Sequence, residues 1–220
     1  MSLLTRDALA DGSLRERLSL AGHPTWTEAQ VAQSLADTLA QRPDRSGPVR
    51  VFAYGSLIWN PLIRVGSACN ARLPGWRRSF CMRTVVGRGR PEQPGRMLSL
   101  QPGGETLGVA LCLPDEVAEH ELRLLWAREM TMGSYCPAWV HLVLADGEPA
   151  HAITFVANPA HPNHEADDSV ATVAAHVAVA EGAFGRNLDY LLALHQALEA
   201  RGLRDAYVSA LVDAVTAQQG

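Results

Sequence analysis

The chain has 220 residues, of which 47% are hydrophobic and 19% are charged, a composition typical of a folded globular protein rather than a disordered or fibrous one. Its 19 basic residues, all arginine, and 23 acidic residues give a formal net charge of -4, which argues against binding to nucleic acid or to an anionic membrane. No apolar stretch approaches the roughly 20 residues of a membrane span, and charge interrupts the N-terminal segment before a signal peptide forms. We therefore expect a cytoplasmic protein. Our expectation for its oligomeric state is a monomer or a weak dimer.

The first part of the chain is predicted to be helical. Thr25 and Glu28 have the spacing of a capping box, and a helix over residues 26–41 is expected to follow. A shorter helical segment is predicted over residues 3–20. A polar linker rich in proline, glycine and serine comes next, so we divide the chain into a helical N-terminal extension, 1–47, and a main domain, 48–220.

The main domain begins with a β-rich region. Runs of β-branched and aromatic residues between turn residues predict strands over 49–54, 77–82, 97–101, 106–113, 138–144 and 151–156. Helices are predicted over 114–130, 168–183, 187–201 and 205–218. Because the turns are short, most neighbouring strands should be antiparallel. The sequence therefore predicts an α+β fold, a small and mostly antiparallel β-barrel or curled sheet with flanking helices.

The first predicted strand runs directly into a glycine turn. Three apolar residues of this strand, at 51–53, precede Tyr54, Gly55 and Ser56. Glycine permits the backbone amides of a turn to approach a ligand closely, which is typical of a site that binds an anion. From the residues alone, an ordinary hairpin or bulge remains an alternative.

Glu129 is the candidate catalytic carboxylate. It ends the helix predicted over 114–130, where Leu122, Leu125 and Trp126 place it on an apolar stripe. Desolvation and the negative end of the helix dipole both favour the protonated form, so its pKa should be raised. Such a group accepts a proton near neutral pH and returns it later. The alternative is a structural ion pair with an arginine at the end of the helix.

Four motifs occur in an order that resembles the ChaC branch of the γ-glutamylcyclotransferases. They are Tyr-Gly-Ser-Leu-Ile-Trp at 54–59, Gly-Arg-Pro-Glu-Gln-Pro-Gly-Arg at 89–96, Gly-Val-Ala at 108–110 and Trp-Ala-Arg-Glu-Met at 126–130. The resemblance extends over roughly residues 49–215. It implies cleavage of glutathione to 5-oxoproline and cysteinylglycine, by attack of the substrate's own α-amino group on its γ-carbonyl, with neither a metal nor another cofactor.

The resemblance also implies roles for individual residues. Glu129 takes the role of general base and then general acid. The implied substrate-binding residues around the turn are Val51, Phe52, Ala53, Tyr54, Gly55, Ser56 and Leu57. The turn amides would face either the α-carboxylate or the developing oxyanion. Tyr135 is a further candidate, although the segment between it and Glu129 is longer than in many relatives, and Arg83 and Arg90 are candidates to bind the glycine carboxylate of glutathione.

Other classes of function remain open from the sequence. Cys136 and His141 are a possible nucleophile and base of a cysteine hydrolase, although no third group is evident. His151, His161, His164 and His176 are candidate metal ligands, but they lack the spacing of a helical pair. A non-catalytic domain that keeps a γ-glutamyl pocket as a sensor, and a cyclotransferase for other γ-glutamyl peptides or amines, are the remaining alternatives.

Overall fold

A computed structural model describes residues 4–45 and 47–218. Its helices are α1 Arg6–Ala10, α2 Ser13–Leu20, α3 Glu28–Ala40, α4 Ala118–Glu129, α5 Val170–Val179, α6 Asn187–Ala200 and α7 Ala206–Ala217. Its strands are β1 Arg50–Ala53, β2 Ser67–Thr84, β3 Gly95–Cys112, β4 Tyr135–Leu144, β5 Pro149–Ala157, β6 Glu181–Gly182 and β7 Gly185–Arg186. Within the described ranges, none of the helices has the length and apolarity needed to cross a lipid bilayer.

The first five strands form a closed barrel in the order β1, β3, β2, β4, β5. Strand β1 closes the barrel by pairing in parallel with β5, and all other neighbours in it are antiparallel. The short connection at 145–148 accounts for the antiparallel pairing of β4 with β5, because antiparallel strands need only a tight connection. The predicted α+β fold, with a mostly antiparallel barrel and flanking helices, is confirmed.

The β2–β3 hairpin is longer than the sequence pattern predicts. Strand β3 is continuous where two strands, 97–101 and 106–113, were predicted, and β2 begins ten residues before the predicted residue 77. Gly103 and Gly104, at φ of 106° and 68°, lie opposite a register shift in β2 between Pro74 and Trp76. The glycines and this irregularity let β2 and β3 continue their hydrogen-bonded pairing on both sides of residues 103–104, which resemble a turn in the sequence.

The N-terminal helices differ in detail from the prediction. The capping box is formed by Thr27 and Gln30 rather than by Thr25 and Glu28, so α3 begins two residues later than expected. The predicted segment 3–20, whose first residue lies outside the described part of the chain, is two helices. Gly12, at φ of 76°, separates them. The division of the chain at residue 47 stays a prediction.

The buried apolar side chains form two cores. One core joins the barrel to α5, α6 and α7, and the other joins β1 and β5 to α1, α3 and α4. Leu122, Leu125 and Trp126 of α4 are at most 1% exposed, and Trp126 packs edge-on against Phe155 at 5.1 Å between ring centroids. The predicted apolar stripe of α4 is therefore buried, and the last residue of the helix, Glu129, is held close to the barrel.

An ion pair between Arg6, whose side chain is 41% exposed, and a buried carboxylate attaches the N-terminal helices to α4. The carboxylate of Glu121, 1% exposed, accepts hydrogen bonds from both Nη atoms of Arg6, at 2.7 and 2.6 Å, and from the backbone N–H of Arg64 at 2.8 Å. The hydrogen bonds from Arg6 are the main reason that the pKa of Glu121 lies below its ordinary value. This pair therefore stabilises the fold only while Glu121 is ionised.

We predict that Arg6→Ala lowers the free energy of unfolding by about 2 kcal/mol at pH 7, because it leaves a buried carboxylate without its cation. The folded-state pKa of Glu121 is depressed, so the contribution is complete above the unfolded-state pKa. It disappears as the pH falls through the folded-state value. Urea unfolding at pH 7 and near pH 3 measures both effects.

Arg123→Ala is the matched control on the same helix, because Arg123 and its partner Glu119 are 68% and 73% exposed. This exposed pair should contribute less than about 1 kcal/mol. An equal loss of stability in the two variants, or a loss for Arg6→Ala that persists in acid, would contradict the prediction.

Candidate active site

A cavity of about 300 Å³ opens beside the turn that follows β1. It brings together residues that lie far apart in the sequence. The predicted site residues that line it are Tyr54, Gly55, Ser56, Leu57, Arg83, Glu129 and Tyr135. The turn and the carboxylate predicted from the sequence thus share one cavity, and the longer segment before Tyr135 does not move that residue out of it.

The turn presents three consecutive backbone amides. The carbonyl oxygen of Gly55 accepts from Ile58 N at 2.9 Å, and that of Ser56 accepts from Asn60 N at 2.9 Å, so both carbonyls are satisfied within a short 3₁₀ helix, Ser56–Ile58. Across residues 4–45 and 47–218, the N–H groups of Gly55, Ser56 and Leu57 make no hydrogen bond to another residue. Consecutive unpaired amides of this kind form an anion-binding concavity.

Arg128 connects the turn to the end of α4. Its Nη2 donates to Ser56 Oγ at 2.8 Å, and its Nη1 donates to the backbone oxygens of Asn60 and Pro61. Its Nε lies 2.9 Å from Glu129 Oε1. The side chain is 6% exposed, so this contact takes place largely out of water. Arg128 was not among the site residues predicted from the sequence, although it lies inside the motif at 126–130.

Glu129 is the last residue of α4, and its side chain is 16% exposed. Burial raises the pKa of its carboxyl group, while the charge and hydrogen bond of Arg128 act in the opposite direction. The raised pKa expected from the sequence and the ion pair named as its alternative are both present. A carboxylate that is largely removed from water and faces a cavity suits reversible proton transfer.

Three tyrosines line the cavity together with the carboxylate: Tyr54 and Tyr190 are buried, and Tyr135 is partly buried. The hydroxyl of Tyr54 donates to Phe155 O at 2.6 Å, and that of Tyr135 donates to Leu98 O at 3.2 Å. Burial raises the pKa of both phenols well above the ordinary value, so they stay neutral. Their hydroxyls are thus fixed donors rather than bases.

Tyr190 of α6 is a cavity residue that the sequence analysis missed. Its hydroxyl lies 3.2 Å from the point where a Cβ on Gly55 would stand, and its ring packs edge-on against Trp59 at 5.5 Å. Burial raises the pKa of this phenol too, and within the described residues its hydroxyl has no hydrogen-bond partner. In the sequence it is one apolar position of an ordinary helix, so no local signal marks it.

Of the two predicted arginines, the structure brings only Arg83 to the cavity. The backbone N–H of Arg83 donates to Asn163 O at 2.7 Å, whereas its guanidinium pairs with no residue in the described part of the chain. Arg90 is exposed and lines a second cavity, so its role in binding the glycine carboxylate stays a prediction.

The residues of β1 also lie outside the cavity lining. Val51, Phe52 and Ala53 are fully buried in the strand, where their side chains belong to the two apolar cores. A direct contact of these side chains with substrate, as the resemblance implied, does not fit this placement. Their part is to fix the strand from which the turn departs.

The alternative sites do not assemble. Cys136 and His141 are five residues apart on β4, which places their side chains on opposite faces of the strand. Partial burial raises the pKa of the Cys136 thiol, which disfavours the thiolate. Over the described ranges, no group of three or more His, Cys, Asp or Glu side chains is arranged to hold a metal ion.

Comparison with known proteins shows the family to which the chain is similar. A family model described as ChaC-like protein matches residues 49–218. The chain is 46% identical over 210 residues to the glutathione-specific gamma-glutamylcyclotransferase of Escherichia coli. The matched region covers 92% of this chain and 88% of that protein. It is 30% identical over 185 residues to the human glutathione-specific gamma-glutamylcyclotransferase 1. This matched region covers 80% of this chain and 83% of that protein.

A solved structure shares the fold. The crystal structure of a glutathione-specific γ-glutamyl cyclotransferase from yeast superimposes with a TM-score of 0.71 at 22% identity, covering 78% of this chain and 97% of that one. The family match covers well over half of the chain, and it includes the turn at 54–59 and Glu129. The chain therefore belongs to the ChaC-like protein family.

Proposed function

We propose that this protein is a γ-glutamylcyclotransferase that cleaves glutathione into 5-oxoproline and cysteinylglycine. The observation that carries the proposal is a single cavity with three backbone amides that are unpaired within the described residues and a largely buried carboxylate of raised pKa. Arg128 contacts both Ser56 of the turn and this carboxylate. The Escherichia coli and human relatives that carry this activity in their names support the choice of substrate.

The turn amides hold the α-carboxylate of the γ-glutamyl group. Arg128 contacts both the turn, through Ser56, and Glu129, so an anion on the amides lies next to the base. In the substrate, the α-carboxylate and the α-amino group are attached to the same carbon. A substrate anchored by its carboxylate on the amides of residues 55–57 therefore presents its α-amino group to Glu129.

The reaction then needs one proton carrier. Glu129 removes a proton from the α-ammonium group, and the freed nitrogen attacks the γ-carbonyl carbon to close a five-membered ring. As the tetrahedral intermediate collapses, Glu129 returns the proton to the departing peptide nitrogen, and the original amide C–N bond breaks. The attacking nitrogen releases its second surplus proton to solvent, and the freed amine of cysteinylglycine takes one up from solvent. The intramolecular attack lowers the barrier mainly through alignment, which the buried anchor provides.

Tyr190 is the proposed donor to the developing oxyanion. Its hydroxyl lies at the turn, has no hydrogen-bond partner among the described residues and stays protonated because burial raises its pKa. A fixed neutral donor stabilises a developing negative charge without any reorganisation. Arg83, whose guanidinium is likewise unpaired within the described residues, is the proposed partner of the glycine carboxylate at the other end of glutathione.

Several sequence expectations remain predictions. These are the cytoplasmic location, the monomeric or weakly dimeric state, and the assignment of catalysis to residues 48–220. The role of a non-catalytic sensor is disfavoured, because a mere binding site needs no buried base beside its anchor.

We predict that Glu129→Gln lowers the kcat/KM for glutathione by about 10²-fold or more, because the amide keeps the shape of the side chain but carries no proton between the two nitrogens. The variant should still bind glutathione, as measured by calorimetry, while mass spectrometry detects little 5-oxoproline. Glu119→Gln, on the same helix but 73% exposed, is the matched control and should retain parental activity. Turnover within a few-fold of the parent would remove Glu129 from this role.

We predict that Arg128→Gln moves the acidic limb of the pH profile of kcat/KM to higher pH. The base must be ionised to act, and Arg128 lowers the pKa of Glu129, so its removal raises that pKa further. The profile should be measured from pH 5 to 9 with glutathione, beside the parent. A limb that stays in place or moves to lower pH contradicts the proposed pairing.

We predict that Arg83→Gln raises the KM for glutathione about tenfold or more, because a charge-assisted hydrogen bond to the glycine carboxylate is lost. Glutathione with an amidated C-terminus should be a poor substrate for the parent and should lose little further in the variant. Arg90→Gln is measured beside it, because Arg90 is the other arginine that the sequence predicts to bind the glycine carboxylate. An equal effect of Arg83→Gln on both substrates would show that Arg83 does not recognise the carboxylate.

A further inference from the structure

Arg78 is a buried cation directly behind the turn. Its side chain is 1% exposed and lies outside the cavity lining. Its Nε donates to the carbonyl oxygen of Tyr54 at 2.8 Å, and its Nη2 donates to that of Leu107 at 2.5 Å. Its Nη1 donates to Asp205 Oδ2 at 2.8 Å. One guanidinium therefore joins the turn, β3 and the start of α7.

Asp205 holds this cation from the far end of the sequence. It is the N-cap of α7, where its Oδ1 accepts from Val208 N at 3.0 Å while its Oδ2 accepts from Arg78. The two residues of the pair lie 127 positions apart in the chain. A buried ion pair costs desolvation on both sides and is often no more stable than an apolar pair, so stability alone does not account for it.

The geometry of the peptide bond explains what the pair does. The Tyr54–Gly55 peptide is trans, as are the other peptides of the described chain. In a planar trans peptide, the carbonyl oxygen and the N–H point in opposite directions. Because Arg78 binds the carbonyl of Tyr54, the N–H of Gly55 is directed to the other side of that plane. Rotation of this peptide would break the hydrogen bond to a buried charge, which is a costly loss.

Among the described residues, the other two carbonyls of the turn accept hydrogen bonds only from neutral backbone N–H groups. Gly55 O accepts from Ile58 N, and Ser56 O accepts from Trp59 N and Asn60 N. The first peptide of the turn lies at its junction with β1, outside the 3₁₀ helix, and depends on Arg78 instead. Arg78 therefore supports the one peptide that the local helix does not orient.

We infer that the Arg78–Asp205 pair is a positioning device for substrate binding: by holding the Tyr54 carbonyl, it directs the Gly55 N–H at the substrate carboxylate. This inference rests on the proposed function, because it assumes that the turn amides hold the α-carboxylate of a γ-glutamyl compound. It makes α7, which does not line the cavity, part of the framework that sets substrate affinity.

The test measures glutathione binding without turnover. Arg78→Lys is placed in the Glu129→Gln chain, and glutathione is titrated by calorimetry. Lysine keeps the positive charge but has a single ammonium, which does not reproduce the fork that reaches Tyr54, Leu107 and Asp205 together. We expect the Kd to rise about tenfold or more, and the KM of the otherwise unaltered Arg78→Lys enzyme to rise more than its kcat falls.

Asp205→Asn gives a second test, in which the direction of the change in Kd distinguishes positioning from simple electrostatics. Asparagine keeps the N-cap, so α7 should stay folded. Removal of a negative charge makes the site more positive, and charge alone would then tighten binding of the anionic substrate. Positioning predicts the opposite, a Kd raised several-fold, because the Arg78 fork loses its anchor. If Asp205→Asn binds glutathione more tightly than the parent or equally tightly, the inference is overturned. This test also applies if Arg78→Lys fails to fold.

Arg96→Lys is the matched control. Arg96 is also buried, with a side chain 5% exposed, and lies 3.6 Å from Glu165, but it neither touches the turn nor lines the cavity. Its substitution should leave the Kd within about twofold. If the parent cleaves glutathione and Arg78→Lys binds it as tightly as Glu129→Gln alone does, only the inference fails. A parent that neither binds nor cleaves glutathione overturns the proposed function and the inference together.

Discussion

The salt bridge between Arg128 and Glu129 is the interaction on which the site depends. The guanidinium reaches the carboxylate with Nε and the Ser56 hydroxyl with Nη2, so it fixes the end of α4 against the turn after β1. Without it, Glu129 would be a largely buried carboxyl with no cation beside it, and its pKa would be raised further. With it, the pKa is raised by burial but held down by the nearby cation, and a group in that balance exchanges protons readily.

The barrel and α4 explain why this contact is so well defined. Strand β1 is buried between two neighbours, and three of its residues are completely inaccessible to solvent, so the turn leaves from a rigid base. Helix α4 is fixed by the burial of Leu122, Leu125 and Trp126 and by the ion pair between Glu121 and Arg6. Both halves of the site thus rest on close-packed elements, which lowers the cost of aligning the substrate.

The sequence predicted the parts of the site that have a local signature. The turn after β1 is visible as a strand that ends in Gly55, and Glu129 is visible because helical periodicity places it on an apolar stripe. Tyr190 and Arg78 have no such signature, since each acts through contacts with residues at least 24 positions away. The strand boundaries failed for a related reason: the pairing of β2 with β3 overrides the local turn preference of Gly103 and Gly104.

The charges of the cavity match those of a γ-glutamyl peptide more closely than those of a generic anion. Glutathione has two carboxylates and one ammonium group at neutral pH. The cavity offers the amides of the turn for one carboxylate, Arg83 for the other, and the carboxylate of Glu129 for the ammonium group. The three tyrosines stay neutral because burial raises the pKa of each, so they add no further charge to the cavity. A simple dicarboxylate would leave Glu129 facing no cation except Arg128, and this unmatched charge disfavours its binding.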